Sequence, residues 1–236
     1  MKVAIMQPYA FPYIGYFQLI KAVDVFVFYD DVSFIKQGWV NRNKILVNHR
    51  EYLTTIPISK MSSFSTISET GLHPRNYNVW CQKFSKTLYQ NYRKAPHFQT
   101  VSSLIRQVLE ISPSGISALA IDSVRRIADY LEINTVFKTS SVDFAQSKGM
   151  DRAERLIEIT KSLGSRHYIN PIGGQRIYSK TYFADRGVTL NFIQTRLTPY
   201  NQHNPYTFVP GLSIIDVMMF NSTEQIQELL NDYQLV

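Results

Sequence analysis

The sequence predicts an α/β fold, an open and mostly parallel sheet with helices on both faces and a helical insert. Three observations predict it. Residues 2–30 read strand, helix, strand, and two parallel strands need such a crossover. Residues 72–131 follow a helical pattern. From residue 132 the alternation of strand and helix resumes. The expected organisation is therefore a first α/β half over 1–71, a helical insert over 72–131, and a second α/β half with C-terminal helices over 132–236. The layout is Rossmann-like.

The opening "KVAIMQ" is a short buried strand. Tyr16, Leu19, Ile20 and Val23 share one helix face, and "DVFVFYD" (24–30) is a second strand, rich in valine and rings. Residues 45–58 predict a hairpin turning near "VNHRE". In the insert, Trp80, Phe84, Leu88 and Tyr92 mark one helix. Val101, Leu104, Ile105 and Val108 mark another, and Leu119, Ser123, Ile127 and Leu131 a third, with Pro96 and Pro113 between them. "NTVFKTS" is a strand. Residues 151–163 have the spacing of a capping box in Asp151 and Glu154, and Gly164 stops that helix. "RHYINP" and "VTLNFIQT" are strands flanking a loop and short helix. Helices are expected near 213–220 and 222–233.

Hydrophobic residues make up 44% of the chain and charged residues 18%, which excludes a disordered polymer. No apolar run approaches the roughly 18 residues a membrane span needs. No secretory leader is visible, and the single cysteine, Cys81, rules out an internal disulfide. A cytoplasmic location is the expectation. The net charge of +7 is concentrated: Arg75, Lys83, Lys86, Arg93, Lys94 and Arg106 lie between Glu69 and Glu110 with no acidic residue among them. Such a stretch attracts phosphates or an acidic partner; as a solvated helix face it would attract neither. Nucleic acid ranks low as a ligand, because the cations are few and mixed with apolar spacing.

Open parallel sheets bind ligands at the carboxyl ends of their strands. The first strand ends at Gln7, Pro8 and Tyr9, the second at Asp30 and Asp31, and "YINPIGG" ends at Asn170 with Gly173 and Gly174. The first helix opens on Tyr13-Ile14-Gly15-Tyr16. Adenylyl-transfer enzymes place His-x-Gly-His in that slot; tyrosine can stack or hydrogen-bond there but supplies no positive charge. Asp30 and Asp31 suggest a general base or a Mg²⁺ site, against the plainer reading of turn residues. Lys36, Trp39, Asn41, Arg42, Asn43 and Lys44 offer cations, an indole and amides for a phosphorylated ligand. His73 and His203 are candidate proton shuttles, against surface histidines. Asn170, Gly173 and Gly174 suggest a turn presenting backbone N–H groups. Cys81 reads as packed core, and Ser213 with Asp216 as a helix cap. Lys60-Met61-Ser62-Ser63 partly mimics an adenylating signature but lies too early for that role. No metal-ligand spacing is present among the histidines.

The segments "MQPYAFPYIGYFQLI", "DVFVFYDDVSFIKQGWVNRNKIL", "YINPIGGQRIY" and "LSIIDVMMFN" together resemble the WbqC-like proteins of bacterial polysaccharide gene clusters. They span nearly the whole chain in order. The resemblance implies a part in O-antigen, lipopolysaccharide or capsule biosynthesis, with tailoring of nucleotide-linked amino sugars. It supplies no catalytic residues. The expected activity is an aminoacyl- or acyltransferase acting on the sugar amine, with Lys36, Arg42 and Lys44 on the diphosphate, Tyr9, Tyr13 and Trp39 on base or sugar, and Asp30 or Asp31 as base. The donor would be activated by ATP with Mg²⁺, or arrive as a thioester on an acidic carrier protein. The alternative is a non-catalytic sugar-nucleotide-binding or scaffold protein.

Overall fold

The computed structural model describes residues 1–60, 62, 64–110 and 113–236, so Met61 and Ser63 of the Lys60–Ser63 segment lie outside the described residues. Strands β1 (Lys2–Met6) and β2 (Val25–Phe28) enclose helix α1 (Ile14–Lys21). A hairpin follows, β3 (Arg42–Val47) and β4 (Arg50–Thr55), then helices α2 (Asn76–Tyr92), α3 (Phe98–Glu110) and α4 (Ile116–Tyr130). The second half runs β5 (Val136–Thr139), α5 (Ser140–Asp143), α6 (Arg152–Ser162), β6 (His167–Pro171), α7 (Lys180–Ala184), β7 (Thr189–Thr195), α8 (Ile214–Phe220), α9 (Thr223–Leu229) and β8 (Tyr233–Leu235).

The six-stranded sheet has the order β5-β2-β1-β6-β7-β8. Every pairing is parallel except β7 with β8, which is antiparallel. This is a doubly wound Rossmann-like sheet, and its strand order reverses between β1 and β6. A crevice must open there at the carboxyl edge, because the connections leaving the two strands turn to opposite faces. One face carries α1, the helices α2 to α4, α8 and α9 over Ala4, Phe26, Phe28 and Ile169. The other carries α6 and α7 over Val3, Ile5, Val27 and Tyr168. All four residues of β2 are buried, as expected of a strand covered on both sides.

Local chemistry explains most boundaries. The β3–β4 turn is Asn48-His49, both at positive φ (49° and 63°), which a two-residue hairpin loop requires and asparagine tolerates. Helix α6 starts on an Asp151 carboxylate accepting from the Ala153 N–H and ends at Gly164 with φ 74°. The capping box expected there does not form: Glu154 instead bonds Tyr182 of α7 and Arg186 just beyond it. The box occurs at α9, between Ser222 and Gln225. Ser213 caps α8, as its spacing suggests. The expected helix to residue 233 stops at Leu229, because the last residues pair with β7 as the edge strand β8.

Candidate functional site

The connection from β1 to α1 is held from three directions. Phe11 sits at φ 50°, unusual for a bulky side chain, and is 3% exposed. Its N–H donates to Ser123 Oγ of α4 at 3.1 Å. Its carbonyl accepts from Ser213 Oγ at 2.7 Å and from the Asn43 amide of β3. Asn43 Nδ2 also reaches the Ala10 carbonyl at 2.9 Å, while its Oδ1 accepts from the Lys44 N–H at 2.7 Å. Residues from three elements thus impose a backbone conformation the chain would not choose unaided, a feature that clusters at functional sites.

The ring residues of this connection divide into two kinds. Tyr16 is buried, and its hydroxyl donates to the Gln7 carbonyl at 2.9 Å, so it closes the end of β1 from below. Pro8 is buried beside it. Tyr9 and Tyr13 are half-buried and stand at the crevice. The Tyr9 hydroxyl donates to Asn43 Oδ1 at 3.3 Å, and Tyr13 lies beside Thr195 at the end of β7. Burial pushes both phenols above their ordinary range; Tyr13 adds to the rise at Tyr9, while Thr195 partly offsets the rise at Tyr13, and both remain protonated donors at neutral pH. Gly15 opens space for this arrangement: a Cβ there would collide with the Tyr13 ring and lie 2.6 Å from Thr195 Oγ1. The glycine admits the tyrosine ring rather than a bare approach to the helix N-terminus.

Beside Tyr9 stands Trp39, 48% exposed, with ring centroids 6.2 Å apart. Lys44 Nζ lies 5.5 Å and Arg42 Cζ 5.9 Å from the indole centroid. Arg42 is held by the Gln37 carbonyl at 2.6 Å, and Lys44 pairs with Glu51 at 2.8 Å. An indole flanked by two cations beside two phenol donors suits a planar base or sugar ring carrying phosphate. Lys36 is exposed in the same loop, whereas Asn41 is buried and its amide donates to the Ile56 carbonyl at 2.9 Å.

Asp30 and Asp31 have a different setting. They are 3% and 6% exposed. Asp31 Oδ2 accepts from Arg155 Nη2 at 2.6 Å, and its Oδ1 from Ser140 Oγ at 2.5 Å. Asp30 Oδ1 accepts the Ser141 N–H at 3.1 Å, and its Oδ2 accepts Ser141 Oγ at 3.0 Å and Ser117 Oγ at 3.2 Å. Although burial opposes ionisation, the Arg155 and Ser140 bonds hold the Asp31 carboxyl below its usual range. All four oxygens are occupied. Buried and engaged by Arg155 and three serines, the pair suits a structural role better than a Mg²⁺ site or the base role expected of it. The cluster fastens β2 to α4, α5 and α6.

Asn170 is buried with its amide donating to Tyr168 Oη at 2.6 Å. Gly174 is needed for space, since a Cβ would strike the Asn170 carboxamide, whereas Gly173 faces open space. The segment Ile172–Arg176 is a 3-10 turn in which the Gly174 carbonyl accepts from the N–H groups of Ile177 and Tyr178 at 2.9 Å. Neither glycine has positive φ. His73 Nδ1 accepts from the Asn76 N–H at the start of α2, and His203, in the loop after β7, lies tilted against the Phe220 ring. Tyr9, Arg42 and Lys44 thus gather around Trp39, while Gln7, Tyr13 and Gly15 lie in the neighbouring connection from β1 to α1. Thr195, Asn43 as an anchor, and Arg155 were not marked by local signals; Arg155 meets Asp31 across 124 residues. Among the described residues, no group of three or more His, Cys, Asp or Glu side chains could hold a metal ion.

A doubly wound α/β sheet with a ring-rich connection at its switch point defines the class. The chain belongs to the WbqC-like protein family, whose model matches residues 7–228. It is 27% identical over 227 residues to the uncharacterized protein Rv1507c of Mycobacterium tuberculosis, covering 93% of each chain. No solved structure matches. Among the described residues no helix is long and apolar enough to cross a membrane.

Proposed function

We propose that the protein binds a nucleotide-linked amino sugar in this crevice and transfers an acyl or aminoacyl unit, such as glycyl, to the sugar amine during polysaccharide biosynthesis. The observation that carries the reading is Trp39, half-exposed between Tyr9, Arg42 and Lys44. The indole stacks on base or sugar, and the two cations meet the diphosphate, which replaces Glu51 on Lys44. The reaction needs an activated donor. With a thioester, the amine nitrogen attacks the carbonyl carbon, the C–N bond forms and the C–S bond breaks. The sulfur leaves as a thiol with the proton lost from nitrogen. Tyr9 and Tyr13, held protonated, donate to the oxyanion or to a phosphate oxygen. With a free amino acid, ATP and Mg²⁺ would have to supply the activation.

The saturated network at Asp30 and Asp31 favours a second reading, sugar-nucleotide binding without catalysis. One experiment separates the two. A panel of UDP- and dTDP-linked amino sugars is titrated calorimetrically, then incubated with glycyl-pantetheine thioester, or with glycine, ATP and Mg²⁺, and the products are weighed by mass spectrometry. Binding with a new amide supports transfer. Binding without one under any donor supports the second reading, and no binding sinks both. Trp39→Ala should weaken binding about tenfold, the loss of one stacking contact worth ~1–3 kcal/mol.

A further inference from the structure

We propose that the outer face of α2 is the docking surface for an acidic helix of a carrier protein that delivers the acyl unit as a thioester. The carrier's identity rests on the transfer reading above; the surface is argued from α2 alone. That helix spans 17 residues, about 25 Å at ~1.5 Å per residue. Its inward face is Tyr77, Phe84, Leu88 and Tyr92. On the opposite side Arg75, Val79, Lys83, Lys86, Tyr89 and Arg93 follow one another at steps of three or four residues, so they form one straight stripe. All six are exposed, Val79 by 48% and Tyr89 by 53%, and the Arg93 guanidinium lies 5.6 Å from the Tyr89 ring centroid.

Within the protein the stripe's contacts are few: Tyr89 meets Phe98 of α3 edge-on at 6.0 Å and carries Arg93 over its ring. Among the described residues, none of its four cations has a hydrogen-bond or ion-pair partner. No acidic residue lies between Glu69 and Glu110, so the i,i+4 acid–base pairs that stabilise exposed helices are missing. Arg75 stands at the N-terminal end, where a positive charge opposes the helix dipole. Arrangements that weaken an isolated helix and are kept in the fold point outward, to complementary charge. The two apolar side chains in line with the cations select the occupant. An acidic amphipathic helix would bury Val79 and Tyr89 and place carboxylates on Lys83 and Lys86 between them and on Arg75 and Arg93 at the ends. A nucleic-acid duplex would contact only the cations, and four of them in a line give weak binding at physiological salt.

The test compares two donors: a purified phosphopantetheine-bearing carrier protein charged with glycine, and free glycyl-pantetheine. Lys83→Glu with Lys86→Glu should raise KM for the carrier-borne donor about tenfold or more and leave the free thioester's kinetics unchanged. Fluorescence anisotropy of the labelled carrier should show the same loss, and wild-type binding should weaken with salt. If the free thioester alone is used, with no carrier binding at low salt, the docking surface is wrong and the transfer reading stands. If neither donor reacts, transfer fails and anisotropy alone decides the surface. Equal carrier binding by wild type and variant overturns it. So does charge-dependent binding of a 20-base-pair duplex or of vesicles containing phosphatidylglycerol in place of the carrier.

Discussion

Replacing Arg155 by methionine keeps the length of the side chain and removes its charge. In the folded protein this leaves the Asp31 carboxylate buried with Ser140 as its one remaining donor, since Arg155 and Asp31 side chains are 4% and 3% exposed. Removing one partner of such a pair costs about 3–5 kcal/mol, because the survivor stays buried and uncompensated. In a chain of 236 residues, at ~2–4 °C per kcal/mol, the melting temperature should fall by about 6–20 °C. The pH dependence has a definite sign. With its folded pKa lowered, Asp31 contributes stability that is present above its unfolded value of ~3.9 and lost as pH falls through the folded value. In the variant, burial without the cation raises that pKa, so the deficit against wild type should be largest near neutrality and shrink toward pH 4. Thermal and urea denaturation across pH 4–8 measures both. Arg155→Met with Asp31→Asn should recover part of the loss. Nucleotide-sugar binding by the folded single variant should stay within about twofold, since α6 lies on the face of the sheet opposite α1. A near-normal melt for Arg155→Met, with turnover abolished by Asp31→Asn at full stability, would refute the structural assignment and restore the base role.

Gly15→Ala should cost about 1–3 kcal/mol by pushing its methyl against Thr195 and the Tyr13 ring, and should also weaken nucleotide-sugar binding; an unchanged melt and unchanged affinity would mean the ring can move freely. Asp216 is buried without a cation, accepting from Tyr92, Tyr200 and Gln202, and burial raises its pKa. A group raised on folding contributes stability at low pH that is lost as pH rises through the folded value. Asp216→Asn should therefore be most costly at acid pH, with the gap to wild type narrowing upward from ~pH 4. Urea titrations showing a pH-independent gap would contradict this.

The strands and their parallel arrangement were readable because a strand buried on both faces must be apolar throughout, as "VFVF" is in β2. The two-residue turn at Asn48-His49, the helix stop at Gly164 and the helix start at Ser213 were readable because φ and capping preferences act over a few residues. The charge bias of α2 is likewise a property of the chain, visible without coordinates. The strand order was not: β1 lies between β2 and β6, and that choice follows from which apolar faces cover each other. Nor could the sequence separate the two aspartates from a catalytic pair. Adjacent carboxylates look alike whether free or satisfied, and their partners Ser117, Ser140 and Arg155 lie 87 to 124 residues away. Gly15 and Gly174 were legible as glycines, but the structure assigns them to space for Tyr13 and Asn170 rather than to a ligand's approach or a positive φ. What a residue prefers is local and therefore written in the chain; what occupies its lone pairs and its neighbouring space depends on distant segments, and only the folded arrangement decides that.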